Sequence, residues 1–247
     1  MADWNDTDQR QGYTSVPQAG DAVARRETFD AGLRAHMLSI YNMMASGVLL
    51  TGIVAMLAAS SGITASLVGS PLMWLVILSP LAIVFAMSFG ANKFSKGTLY
   101  IMFWSFATLM GLSLSTIFLV YTGESIAATF FATAAAFAGL SLFGYTTQKN
   151  LSGWGSFLLM GLIGIIVAML LNAFVFQSGA MGLVINILGV LIFAGLTAYD
   201  TQRLKTEYQY LRGTEFAGKA VILGALSLYL DFINMFQFLL SFMGSRE

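Results

Sequence analysis

Residues 150–199 read NLSGWGSFLLMGLIGIIVAMLLNAFVFQSGAMGLVINILGVLIFAGLTAY, fifty consecutive positions without an Asp, Glu, Lys or Arg. A helix that crosses a membrane needs about 20 mainly apolar residues. The run therefore holds two spans, separated by the polar residues 177–179. The same reading extends in both directions. From Ala35 to Asn92 there are 58 residues with no formal charge apart from His36, and 24 more lie between Glu124 and Lys149. Turn and interface residues divide the chain into seven expected spans: Met37–Ala59, Leu72–Phe89, Thr98–Tyr121, Ser125–Tyr145, Trp154–Phe176, Ala180–Asp200 and Ala220–Met243. The fold class is an all-α integral membrane protein of seven transmembrane helices.

Composition agrees. Of 247 residues, 57% are apolar and 10% charged, and the mean hydropathy is +0.76. A soluble domain carries about a quarter of its residues as charges, so this chain could not cover a water-facing surface. The net charge of zero excludes a basic face for nucleic acid. Cysteine is absent, which removes disulfides and thiolate metal sites. A single His cannot build a usual zinc centre, and no cofactor motif is present.

Residues 1–34 differ in kind, with ten charges including Asp21, Arg25, Arg26 and Glu27. They are expected to form a polar cytoplasmic tail, disordered or partly helical beside the membrane. No basic start precedes a short apolar run, so no cleavable signal peptide is expected. Lys and Arg counting sets the orientation. The tail and connections 2–3, 4–5 and 6–7 hold 4, 2, 1 and 4 cations, eleven in all, and the opposite side holds only Arg246. This predicts a cytoplasmic N-terminus and an external C-terminus.

No Lys or Arg falls inside an expected span, and only two acids do: Asp200, at the end of span 6, and Asp231, near the middle of span 7. An ionised Asp at mid-membrane costs about 2.5–3.5 kcal/mol on insertion scales, which makes it a functional candidate. At 100° per residue, Gly224, Ser227, Asp231 and Asn234 share one helical stripe, and Asn186, Gly189, Thr197 and Asp200 share another. Tyr199 adjoins the second. Small and polar residues on one stripe suit a tight helix interface or a water-lined cavity. If the stripes meet, the two carboxyls share a proton and respond to pH. Fully ionised, they offer a hard oxygen site suited to Ca²⁺. Contact requires span 6 to continue helically past Thr201. Pro80, in the middle of span 2 after Ser79, is expected to kink that helix and is a candidate hinge.

The residues around the acids also carry a resemblance. Gly195-Leu-Thr-Ala-Tyr-Asp200-Thr-Gln202 and Ile222-Leu-Gly-Ala-Leu-Ser-Leu-Tyr-Leu-Asp231-Phe-Ile-Asn234 closely resemble the Bax inhibitor-1, or transmembrane Bax inhibitor motif, family. Phe143-Gly-Tyr-Thr-Thr147 and Gly111-Leu-Ser-Leu-Ser115 look like its other segments, and the bacterial branch is most similar. The resemblance implies a central last helix and a pH-sensitive Ca²⁺ leak in the bacterial inner membrane, with Asp200 and Asp231 as pH sensor and closing latch. Some members place in span 2 an Arg that exchanges partners with the aspartates; this span 2 has no cation. Bacterial relatives are also linked to a membrane-anchored ATP-dependent protease, so a non-conducting regulator of such a protease is the alternative. An intramembrane aspartyl protease fits less well, because Leu228-Tyr-Leu-Asp231 lacks Gly-x-Gly-Asp and no proline follows Asp231. No enzymatic activity is expected.

Overall fold

A computed structural model describes residues 19–246, with side chains from residue 29. The first eighteen residues of the expected polar tail lie outside the described residues. Contacts divide the chain into two units at Ala35/His36, and the second unit is the helical bundle. The helices are α1 Ala19–Ser60, the short α2 Ile63–Leu67, α3 Pro71–Gly90, α4 Lys96–Leu114, α5 Gly123–Thr146, α6 Ser152–Leu171, α7 Gly179–Leu211 and α8 Ala217–Met243. Seven of these are long and apolar enough to cross a membrane, one for each expected span. Helices are the form this composition must take, because hydrocarbon leaves no water to satisfy backbone N–H and C=O groups.

Local signals set the helix starts. Ser95 accepts a hydrogen bond from the Thr98 N–H at 3.1 Å, and Thr122 accepts from Ser125 N–H at 3.3 Å. Ser178 caps α7 in the same way, accepting from Met181 N–H. Each hydroxyl replaces a partner that a helix N-terminus lacks. Pro71 opens α3 at a position where its missing N–H costs nothing. Two helices change pitch before they end: α4 tightens into a 3₁₀ turn over Ser115–Leu119, and α6 widens into a π-helical turn over Asn172–Phe176.

Burial is very uneven among the helices. Two thirds (67%) of the apolar stretch of α8 is buried, against 11% for α3 and α6 and 33% at most elsewhere. α8 is therefore the central helix, and the other spans turn apolar faces outward, as Trp74, Phe131, Phe157 and Met160 do. Tyr229 is fully buried on α8. It hydrogen-bonds Thr51 of α1 at 2.6 Å, and Thr51 also donates to the Ala107 carbonyl of α4. The tyrosine ring meets Phe103 and Phe106 edge-on. A polar tip tied to two other helices suits a large aromatic in a dry core.

Pro80 is buried within a continuous α3. A proline here denies the carbonyl four residues earlier, that of Val76, its usual donor. The Ser79 hydroxyl donates to that carbonyl at 3.1 Å, so the Val76 acceptor keeps a donor. His36 of α1 pairs with the ring of Tyr208 of α7, centroids 5.0 Å apart.

Close approach of α5 and α7 depends on Gly144, where a Cβ would collide with the Ala198 carbonyl. Overpacking of this kind costs about 1–3 kcal/mol. Gly144→Ala is expected to lower the melting temperature of the detergent-solubilised protein by several degrees. Gly139→Ala, on the same helix with nothing within 4 Å, should leave it unchanged or raise it; equal melting of both variants would contradict this packing.

Candidate functional site

α7 does not stop where its apolar run stops. It continues as one helix of 33 residues to Leu211, about 50 Å at 1.5 Å per residue, well beyond the hydrocarbon thickness of about 30 Å. Asp200 therefore has eleven further helical residues after it, about three turns, and Arg203 stands one turn on at i+3. Asp200 Oδ1 lies 3.1 Å from Arg203 Nη1. Arg203 Nη2 donates to the Ser227 hydroxyl of α8 at 3.1 Å, and Nε lies 3.4 Å from Glu207 Oε1. Assigning Arg203 to the 6–7 connection, outside any span, thus hides the acid's partner. The expectation of two carboxyls without a cation is corrected on this point: span 6 supplies a cation to its own acid.

Asp231 sits one helical turn further along α8 than Ser227. It is 5% exposed, and its Oδ2 has no hydrogen-bond partner among the described residues. A buried carboxyl oxygen left unpaired is costly and needs a physical reason. The reason on view is a cavity of about 790 Å³ between α6, α7 and α8, lined by both Asp200 and Asp231. Asn186 and Tyr199 of α7 and Ser227 and Asn234 of α8 line it too. Space of this size holds many waters where polar groups are present.

The expected polar seam is therefore one wall of a cavity, with a single exception. Thr197 is fully buried and donates its hydroxyl to the Phe193 carbonyl within α7, and it does not line the cavity. Its helical face is that of Thr201, whose hydroxyl turns to Ser141 of α5. At 100° per residue Thr197 lies about 60° from Asp200 on the side of Thr201, opposite to Arg203, and so meets other neighbours.

Residues missed in the sequence hold the site in place. Gln202 accepts from the Leu151 N–H at 2.7 Å and donates to the Lys149 carbonyl at 2.8 Å. Lys205 donates to the Tyr145 carbonyl at 2.7 Å, satisfying the last turn of α5 with a cation as helix C-termini favour. Gly155 and Gly195 admit Tyr199 and Leu158, which a Cβ at either would contact below 3 Å. Among the described residues no three His, Cys, Asp or Glu side chains gather as metal ligands.

Fold and site together define a seven-helix membrane protein whose buried last helix carries a carboxyl into an intramembrane cavity with one polar wall. The family described as inhibitor of apoptosis-promoting Bax1 matches residues 33–247, and the chain belongs to it. An uncharacterized protein of Caulobacter vibrioides is 48% identical over 230 residues, covering 88% of this chain and 91% of its own. The inner membrane protein YbhL of Escherichia coli K12 is 45% identical over 221 residues, 88% of this chain and 94% of its own. A Rickettsia prowazekii protein is 40% identical over 226 residues, 91% and 95% of the two chains.

The bracing role of Gln202 can be checked directly. Gln202→Ala removes two hydrogen bonds and should cost about 1–3 kcal/mol. Lys149 is exposed, so trypsin cleavage after it should accelerate about threefold or more as the 4–5 connection loosens. An unchanged cleavage rate would show that the connection holds without Gln202.

Proposed function

We propose that this chain is a proton-gated cation leak of the bacterial inner membrane, with Ca²⁺ as its cargo and Asp200 and Asp231 as the gating acids. The observation that supports the reading best is the unpaired, buried Asp231 oxygen facing a cavity that Asp200 shares. The inner-membrane location is taken from the YbhL relative. The eleven-to-one division of cations across the connections supports a cytoplasmic N-terminus.

The chemistry is that of a transient ion site. Ca²⁺ takes 6–8 oxygen ligands, whereas the cavity offers two carboxyls, the amide oxygens of Asn186 and Asn234, and hydroxyls. Water must complete the shell, so binding is loose enough for the ion to leave, as conduction requires. At acidic pH protonation of the acids removes the negative charge that attracts the cation. Loss of that proton as the pH rises restores the charge and opens the site to cargo. No bond is made or broken, so the protein acts as a conductor and not as an enzyme.

The alternative, a non-conducting regulator docking a membrane-anchored protease, draws on the polar N-terminal tail and the basic 6–7 connection. Three of its four cations are already engaged inside the bundle: Arg203 with Asp200, Lys205 with the Tyr145 carbonyl and Lys219 with the Ala91 carbonyl. On the connection, that leaves little uncommitted basic charge for a partner.

Purified protein in liposomes loaded with a Ca²⁺ dye should leak Ca²⁺, faster at neutral than at acidic pH. Asp231→Asn should slow the neutral-pH flux about tenfold, the effect of losing roughly 1.4 kcal/mol of charge attraction, and flatten its pH dependence. Absence of flux at every pH would overturn the proposal and favour the regulator.

A further inference from the structure

Arg203 and Ser227 line a second cavity as well as the first. This smaller space, about 420 Å³, lies where α7 and α8 approach the 6–7 connection and is bordered by Glu207, Leu211, Phe216 and Leu223. Both residues thus stand in the wall common to the two cavities, and the 3.1 Å hydrogen bond between them closes that wall. We infer that the Arg203–Ser227 pair is a partition between a vestibule at the 6–7 end of the bundle and the intramembrane cavity that holds the acids.

Three features make Arg203 suited to this place. Its guanidinium is planar and charged at any physiological pH, with donors fixed in a fork. Two arms of the fork are hydrogen-bonding or ion-paired, to Asp200 on one side and Ser227 across the helix interface, while Nε, 3.4 Å from Glu207 below, makes no hydrogen bond among the described residues. The side chain is also 37% exposed, so one face meets the vestibule while another reaches the buried Asp200. Held there, the guanidinium presents a positive charge at the neck through which a cation would have to pass. A solute moving from the vestibule to Asp231 must displace it, breaking the Ser227 hydrogen bond while Asp200 and Glu207 on the same helix still retain the charge.

This partition would regulate the site proposed above and rests on that reading for its purpose, but its test requires no ion flux. The chain has no cysteine, so single cysteines can be introduced without background. Leu223→Cys reports the vestibule and Asn234→Cys the inner cavity. A charged, membrane-impermeant methanethiosulfonate reagent is added to sealed vesicles on the face from which Leu223→Cys reacts. Asn234→Cys is expected to react at least tenfold faster in an Arg203→Ala background than in the parent, while Leu223→Cys reacts at a similar rate in both. Ser227→Ala, which keeps Arg203 and removes only its acceptor, should give an intermediate acceleration and carries the test if the Arg203 variant does not reach the membrane. Equal Asn234→Cys rates in parent and variants would overturn the partition. A Ca²⁺ leak that fails while Asn234→Cys is unmasked would instead count against the cation-leak reading alone.

Discussion

Burial of α8 is the constraint on which the rest of the bundle depends. Hydrocarbon cannot solvate a carboxyl, so a helix bearing Asp231 at mid-depth is stable only if other helices keep lipid away from it. Two thirds of the apolar stretch of α8 is enclosed, and its neighbours are held by specific contacts. Tyr229 ties it to α1 through Thr51 and to α4 through Phe103 and Phe106. Phe232 meets Phe130 and Phe137 of α5, and Phe238 stacks on Phe193 of α7. Aromatic packing encloses most of the helix and leaves one polar side, toward α6 and α7, where the cavity lies.

The second organising element is the hexapeptide Asp200-Thr-Gln-Arg-Leu-Lys205. Its polar side chains leave α7 in different directions, toward α5 (Thr201, Lys205), toward the connection before α6 (Gln202) and toward α8 (Arg203). A short helical segment thereby fixes three neighbours around one acid. The pairing of Asp200 with Arg203 follows the same economy. A carboxyl near the membrane boundary and a cation one turn later reduce each other's desolvation cost, which isolated charges cannot do.

Much of this is legible in the sequence because lipid imposes a coarse and strict rule. Long apolar runs free of Lys and Arg mark all seven spans, and the two intramembrane acids stand out by subtraction. The stripes through Asn186 and Asp200 and through Ser227, Asp231 and Asn234 identify one cavity wall, since helical periodicity is rigid. What stays hidden has a common cause: hydropathy reports where lipid ends, not where a helix ends. α1 begins at Ala19 and α7 ends at Leu211, both outside the apolar runs. Hydropathy therefore assigns Arg203 to a connection, although its i+3 spacing from Asp200 is the signal that would find it. Thr197 is misplaced for the opposite reason, because a stripe drawn 60° too wide takes in residues facing another neighbour. Gln202 and Lys205 bind backbone carbonyls and amides, partners that no residue pattern displays.

The length of α7 has a mechanical consequence. Leu211 lies eleven residues past Asp200, about 16 Å along an unbroken helix. A rigid rod of that length transmits torque. Its outer part carries Tyr208, whose ring rests on His36 of α1. A load applied near Tyr208 would reach the segment that bears Asp200 along one unbroken helix, with the bonds of Thr201, Gln202, Arg203 and Lys205 resisting it. The end of α7 is in this sense a lever arm, and the braced segment around the acid is its fulcrum.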